Sequence, residues 1–153
     1  MYVAIVIALM LVLPLICIVS QLTLQHGGPT LAAALPIIAK WYVFWAVGLR
    51  LSLAGLRQII QPRYTAETIL GIKSPDALLL VRELGFANTA IGVAGLGSLL
   101  ASSWIAPVAL TGAIFYSLAG INHCFHKNRN ALQNLALVSD LFAGLILFIC
   151  FFA

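Results

Sequence analysis

The chain has 153 residues, of which 63% are hydrophobic and only 8% charged, against roughly 45–50% and about 25% in a soluble domain. So few polar side chains cannot cover the surface of a water-soluble fold. The net charge of +4 reflects a shortage of acids, four in all, and no basic stripe marks a phosphate footprint, which excludes nucleic acid as a partner.

A membrane-spanning helix needs about 20 mostly apolar residues. Five segments meet that requirement, at roughly 2–24, 33–60, 75–101, 104–126 and 133–153. The first is too long for a signal-peptide core and lacks a basic leader and a cleavage pattern, so it reads as a span. His26-Gly27-Gly28-Pro29-Thr30 breaks it from the second, because paired glycines and a proline suit a turn. The second span ends at Gln61-Pro62-Arg63, and Tyr64 to Leu70 reads as a short interfacial helix. Ser74-Pro75-Asp76 predicts the start of the third span, as an N-cap, a proline at the first helical position and an acid in the first turn. Ser102-Ser103-Trp104 makes a hairpin to the fourth, and Lys127-Asn128-Arg129-Asn130 separates the fourth from the fifth. No linker divides the chain, which predicts one all-α domain over 1–153, a five-helix transmembrane bundle. A four-span arrangement, with the first segment on the surface or the last re-entrant, is the alternative.

Lys and Arg concentrate in cytoplasmic loops. Arg57, Arg63 and Lys73 flank the second-to-third connection, and Lys127 and Arg129 lie in the fourth-to-fifth. Both basic loops are therefore expected inside, with the N-terminus in and the C-terminus out, and with Trp41, Tyr42, Trp45 and Trp104 as an outer aromatic belt.

Ionisable groups inside spans are expensive and are by default functional candidates. Here they are Arg50 and Arg57, Glu83 with Asn88, Asn122 with His123 and His126, and Asp140. Depth counted from the helix ends brings Arg50 level with Glu83, so that pair is expected, with Asp140 a partner for His123, His126 or Arg57. Arg50 and Arg57 are seven apart and share one helix face. One reading makes these groups static clamps between helices. The other lines a polar cavity in the cytoplasmic leaflet, with Arg50, Arg57, Glu83, Asn88, Asn122, His123 and Asp140 as ligand-binding residues and Glu83, His123 and Asp140 as catalytic candidates. His123 and His126 are metal candidates only if a carboxylate joins them, because two imidazoles alone make a poor site. Cys17, Cys124 and Cys150 have no paired spacing and read as small apolar residues. The glycines and alanines of the third and fourth spans, from Gly85 to Gly97 and from Gly112 to Gly120, predict close packing of the third helix on its hairpin partner.

The run Glu83-Leu84-Gly85-Phe86-Ala87-Asn88, followed by Gly92, Ala119, Asn122-His123, Asn134 and Asp140, resembles a family of small bacterial membrane proteins of unknown function related to the DoxX-like group. The likeness covers roughly residues 40–145. It implies a four-helix core with the first helix added, Glu83, Asn88, His123 and Asp140 as the family's intramembrane polar residues, and a distant link to quinone-dependent redox subunits. Arg50 and Arg57 have no place in that pattern.

Three functions are compatible with the sequence. The first is a protein of the bacterial cytoplasmic membrane that takes a quinone or lipid head group in its cavity as part of a redox complex, with the arginines holding the head and Glu83 and His123 exchanging protons. The second is a noncatalytic accessory subunit among other membrane subunits or copies of itself, and the third a small transporter, whose broken helices only Pro36 and Pro107 suggest. No cofactor beyond the quinone is implied.

Overall fold

The computed structural model describes residues 2–24 and 30–152. Five long helices, α1 (Tyr2–Thr23), α2 (Leu31–Ile60), α4 (Ala77–Gly97), α5 (Ile105–Cys124) and α6 (Ala131–Phe151), are each long and apolar enough to cross a membrane. A short helix, α3 (Tyr64–Ile69), follows α2, and no strand occurs among the described residues. The result is an all-α bundle. Large apolar side chains face outward around it, as with Leu118 (62% exposed), Val138 (66%) and Leu145 (62%). A surface of that kind is stable only against lipid, and the chain is a multi-pass membrane protein.

Local chemistry sets the helix ends. Thr30 accepts the Ala33 N–H on its hydroxyl and caps α2 two residues earlier than the sequence suggested. The glycine-rich break ahead of it, residues 25–29, lies outside the described residues. Ser74-Pro75-Asp76 precedes α4 without starting it: the Ala77 and Leu78 amides bond the carbonyls of Ser74 and Pro75, a turn that delivers the chain to the helix. At α6, Asn130 and Gln133 exchange side-chain and backbone bonds in a capping box. Arg129 reaches back to the carbonyls of His123 (3.0 Å), Cys124 (3.3 Å) and His126 (2.8 Å), satisfying the acceptors that the end of α5 leaves open.

Two of the long helices widen into π turns, at Ala8–Val12 in α1 and Val43–Leu49 in α2. In α1 the cause is local, because Pro14 has no N–H to give back to the preceding turn. In α2 the wide turn moves the Arg50 amide onto Trp45 O, and Ala46 O accepts instead from the Tyr116 hydroxyl of α5.

Packing falls into two antiparallel pairs, and here the structure corrects the expected partner of α4. Its glycines face α2: a Cβ added to Gly95 would lie 2.6 Å from Gly48 Cα, one on Gly85 would lie 2.9 Å from Gly55 O, and Gly92 meets Ser52. The reason is complementary spacing, since Gly48, Ser52 and Gly55 place a bare stripe on α2 that matches the one on α4. The glycines of α5 and α6 pair those two helices with each other, Gly120 against Leu141 and Gly144 against Ser117. Between the pairs runs a dry core of Val43, Ala46, Val47, Ala109, Ala113, Ala143 and Leu147, all fully buried and all in the half away from the basic loops. Tyr42 belongs to that core, not to an aromatic belt, while Trp41 bonds Gln21 at 2.7 Å and Trp104 stays exposed.

Candidate functional site: a polar cavity at the basic end

The half of the bundle nearest the basic loops is built differently. The register fixed by Gly48 on Gly95, Ser52 on Gly92 and Gly55 on Gly85 sets Arg50 opposite Val93 and Glu83 opposite Ile60. Arg50 and Glu83 are thus about 15 Å apart along the helix axes, and the expected pair between them does not form. Counting each depth from its own helix end misled, because α4 begins some six residues beyond the end of α2. Glu83 lies exposed on the face of α4 turned away from α2.

Arg50 pairs with Asp140 instead. Its Nη2 donates to Asp140 Oδ1 at 2.8 Å and to Ser139 Oγ at 3.2 Å, and its guanidinium sits 4.9 Å above the Tyr116 ring. This is the only ion pair among the described residues, and it corrects the partners expected for Asp140. Arg57, three residues from the end of α2, turns down to α3 and stacks 3.6 Å over the Tyr64 ring, out of reach of that carboxylate. Between the two arginines, buried Asn88 donates its amide to Gln58 Oε1 at 2.8 Å.

These groups line one cavity of about 400 Å³. Arg50, Arg57 and Gln58 come from α2, Asn88 from α4, Tyr116 and His123 from α5 and Asp140 from α6, with Tyr2 of α1 closing one side. Tyr64, Thr65 and Ile69 of α3 form the floor. In that helix Thr65 and Ala66 are buried under the bundle, while Glu67 and Thr68 stay exposed. It is fastened by Asn130 Nδ2 to Ile69 O at 3.2 Å, and by Gly71, whose φ of 73° lets the Ile72 amide return to Ala66 O. The wall also reaches the exposed side chains of Ile5, Leu53 and Leu84, on faces that lipid would cover. The cavity therefore opens sideways toward the acyl chains.

Among the described residues, six buried side-chain polar atoms lack a hydrogen-bond partner, and four of them belong to cavity residues: Arg50 Nη1, Arg57 Nε, Asn88 Oδ1 and His123 Nδ1. Each such group costs about 1–3 kcal/mol when left unmatched, more where it is charged. All four sit on residues that line this one space. An apolar groove near the other end, lined by Leu11, Leu15, Ile18, Tyr42, Phe142 and Cys150, presents no polar surface.

Of the residues singled out from sequence, Arg50, Arg57, Asn88, His123 and Asp140 meet at the cavity, whereas Glu83 and Asn122 are exposed and lie outside it. The proposed exchange of protons between Glu83 and His123 has no geometric basis, since Glu83 faces away. His126 is exposed too, its Nδ1 3.0 Å from Asn122 O in its own turn and its ring 6.0 Å from that of His123. No third ligand joins the two histidines among the described residues. Sequence reasoning missed Tyr116, Gln58, Tyr64 and Ser139. Tyr116 could have been found, because it stands seven residues before His123 and so on the same helix face; Tyr64 depends on the fold of α3 beneath the bundle and left no comparable signal.

Residues 4–153 match the model of a family of unknown function, DUF6790, and the chain belongs to that family. No curated protein and no solved structure matches it.

Proposed function

We propose that this DUF6790 protein binds an amphiphile, a lipid or a quinone, holding its polar head in the cavity and leaving its tail among the acyl chains. The observation that carries this reading is the set of four unmatched polar atoms on residues of one cavity. A membrane site needs such a polar end and an apolar exit, and Ile5, Leu53 and Leu84 supply the second. The positive-inside bias of Arg57, Arg63, Lys73, Lys127 and Arg129 puts that end on the cytoplasmic side of, in this proposal, a bacterial inner membrane. A relation to the DoxX-like group would favour a quinone, but the displacement of Glu83 removes one of the two groups that would have moved protons to it.

A second reading, a noncatalytic accessory subunit, draws on the Arg50 and Asp140 pair, which ties α2 to α6 whatever the cavity holds. The test is native mass spectrometry of the full chain in mild detergent. Ligand handling predicts a retained amphiphile that Ala54→Trp, which fills the cavity from α2, displaces without unfolding the bundle. Absence of any adduct, before and after incubation with extracted membrane lipid, would leave the accessory reading standing.

A further inference from the structure

The charges of the cavity narrow the guest further. Its lining carries three ionisable groups of fixed sign, Arg50, Arg57 and Asp140. Asp140 is committed to Arg50 at 2.8 Å. Arg57 has no carboxylate, only the face of Tyr64, and a ring quadrupole does not neutralise a guanidinium. The space therefore holds one uncompensated positive charge, on the half-buried Arg57. A neutral quinone carbonyl could accept a hydrogen bond from Arg57 but would leave that charge in place. An anion would remove it.

The unmatched atoms are also of two kinds. Arg57 Nε and Arg50 Nη1 can only donate, and Asn88 Oδ1 can only accept. A guest that satisfies both presents anionic oxygens to the donors and a hydroxyl hydrogen to the acceptor. Resting on the amphiphile reading above, we infer that the cavity takes a lipid with a phosphate monoester head, held by Arg57 over the α3 floor. Arg57 suits this role because its planar fork matches phosphate geometry and because stacking on Tyr64 fixes the plane in advance. The acyl chain leaves past Leu53 and Leu84, so the same phosphate without a tail lacks most of the contact area.

The test is titration of the full chain, delipidated in detergent, with four probes read by native mass spectrometry: dioleoyl phosphatidate, dioleoyl phosphatidylcholine, a short-chain benzoquinone and glycerol phosphate. Phosphatidate is expected to bind at least about ten-fold tighter than each of the others, the factor that one lost charge-assisted bond represents. Arg57→Gln should abolish that preference and Arg57→Lys should restore part of it; the Lys variant and a melting curve guard against misreading a folding defect. Quinone binding as tightly as phosphatidate, or a preference unchanged by Arg57→Gln, would overturn the phosphate assignment while leaving an amphiphile site intact, and phosphatidylcholine binding as tightly would overturn the monoester, whose net negative charge the zwitterionic diester lacks. Glycerol phosphate binding as tightly would move the assignment to a soluble phosphate. Failure of every probe would remove the amphiphile reading itself.

Discussion

Arg50 and Arg57 occupy the same face of one helix, two turns apart, and the protein treats them in opposite ways. Around Arg50 the surroundings are nearly complete: a carboxylate at 2.8 Å, a hydroxyl at 3.2 Å, an aromatic ring below and the dry core beyond. Around Arg57 they are open, with one aromatic face and an unmatched Nε. The first region has the features of a clamp between helices and the second those of a receptor for something outside the chain. Buried charges in a membrane protein are often assigned to one role or the other. Here the two roles sit about 10 Å apart along α2.

The largest effect should come from breaking the clamp. Asp140→Ala leaves Arg50 buried without a counter-charge and should cost about 3–5 kcal/mol, read as loss of unfolding free energy in detergent. Replacing both partners by apolar residues, Arg50→Met with Asp140→Leu, should recover most of that loss, because a buried pair and a well-packed apolar pair are often near equal. A double variant as unstable as the single one would mean that Arg50 is not chiefly a clamp.

Next in size is Gly92→Leu. The added side chain has no room against Ser52 and should cost about 1–3 kcal/mol or more by forcing α2 and α4 apart. Because the same crossing sets Asn88 against Gln58, it should also reduce amphiphile retention, which separates it from changes within the clamp. Arg57→Gln should cost no more than about 1 kcal/mol, the worth of its stacking on Tyr64, in protein freed of lipid. Smallest of all, Glu83→Gln should change stability by no more than about 0.5 kcal/mol and leave retention untouched. Measurable loss of retention in that variant would return Glu83 to the site.

The five helices and five of the polar cavity residues were legible in the sequence because both follow from short-range rules. Apolar length marks a span, and an ionisable group inside a span must find shelter, so Arg50, Arg57, Asn88, His123 and Asp140 stood out before any contact was known. The pairing was not legible. It depends on how far α4 slides along α2, which is set by where Gly48, Ser52 and Gly55 meet Gly85, Gly92 and Gly95. A slide of ten residues exchanges Glu83 for Asp140 as the partner of Arg50. The folding of α3 under the bundle was equally hidden, because its polarity suits an interface and its burial rests on tertiary bonds from Asn130 and Gln133.

The division between a clamp at Arg50 and a receptor at Arg57 is tested most directly by temperature-resolved native mass spectrometry of Arg57→Gln beside the wild type, both delipidated and then offered dioleoyl phosphatidate. The variant should fail to take up the lipid while its lipid-free unfolding temperature stays within a few degrees of wild type. Uptake equal to wild type, or a lipid-free unfolding temperature lowered as far as by Asp140→Ala, would contradict it.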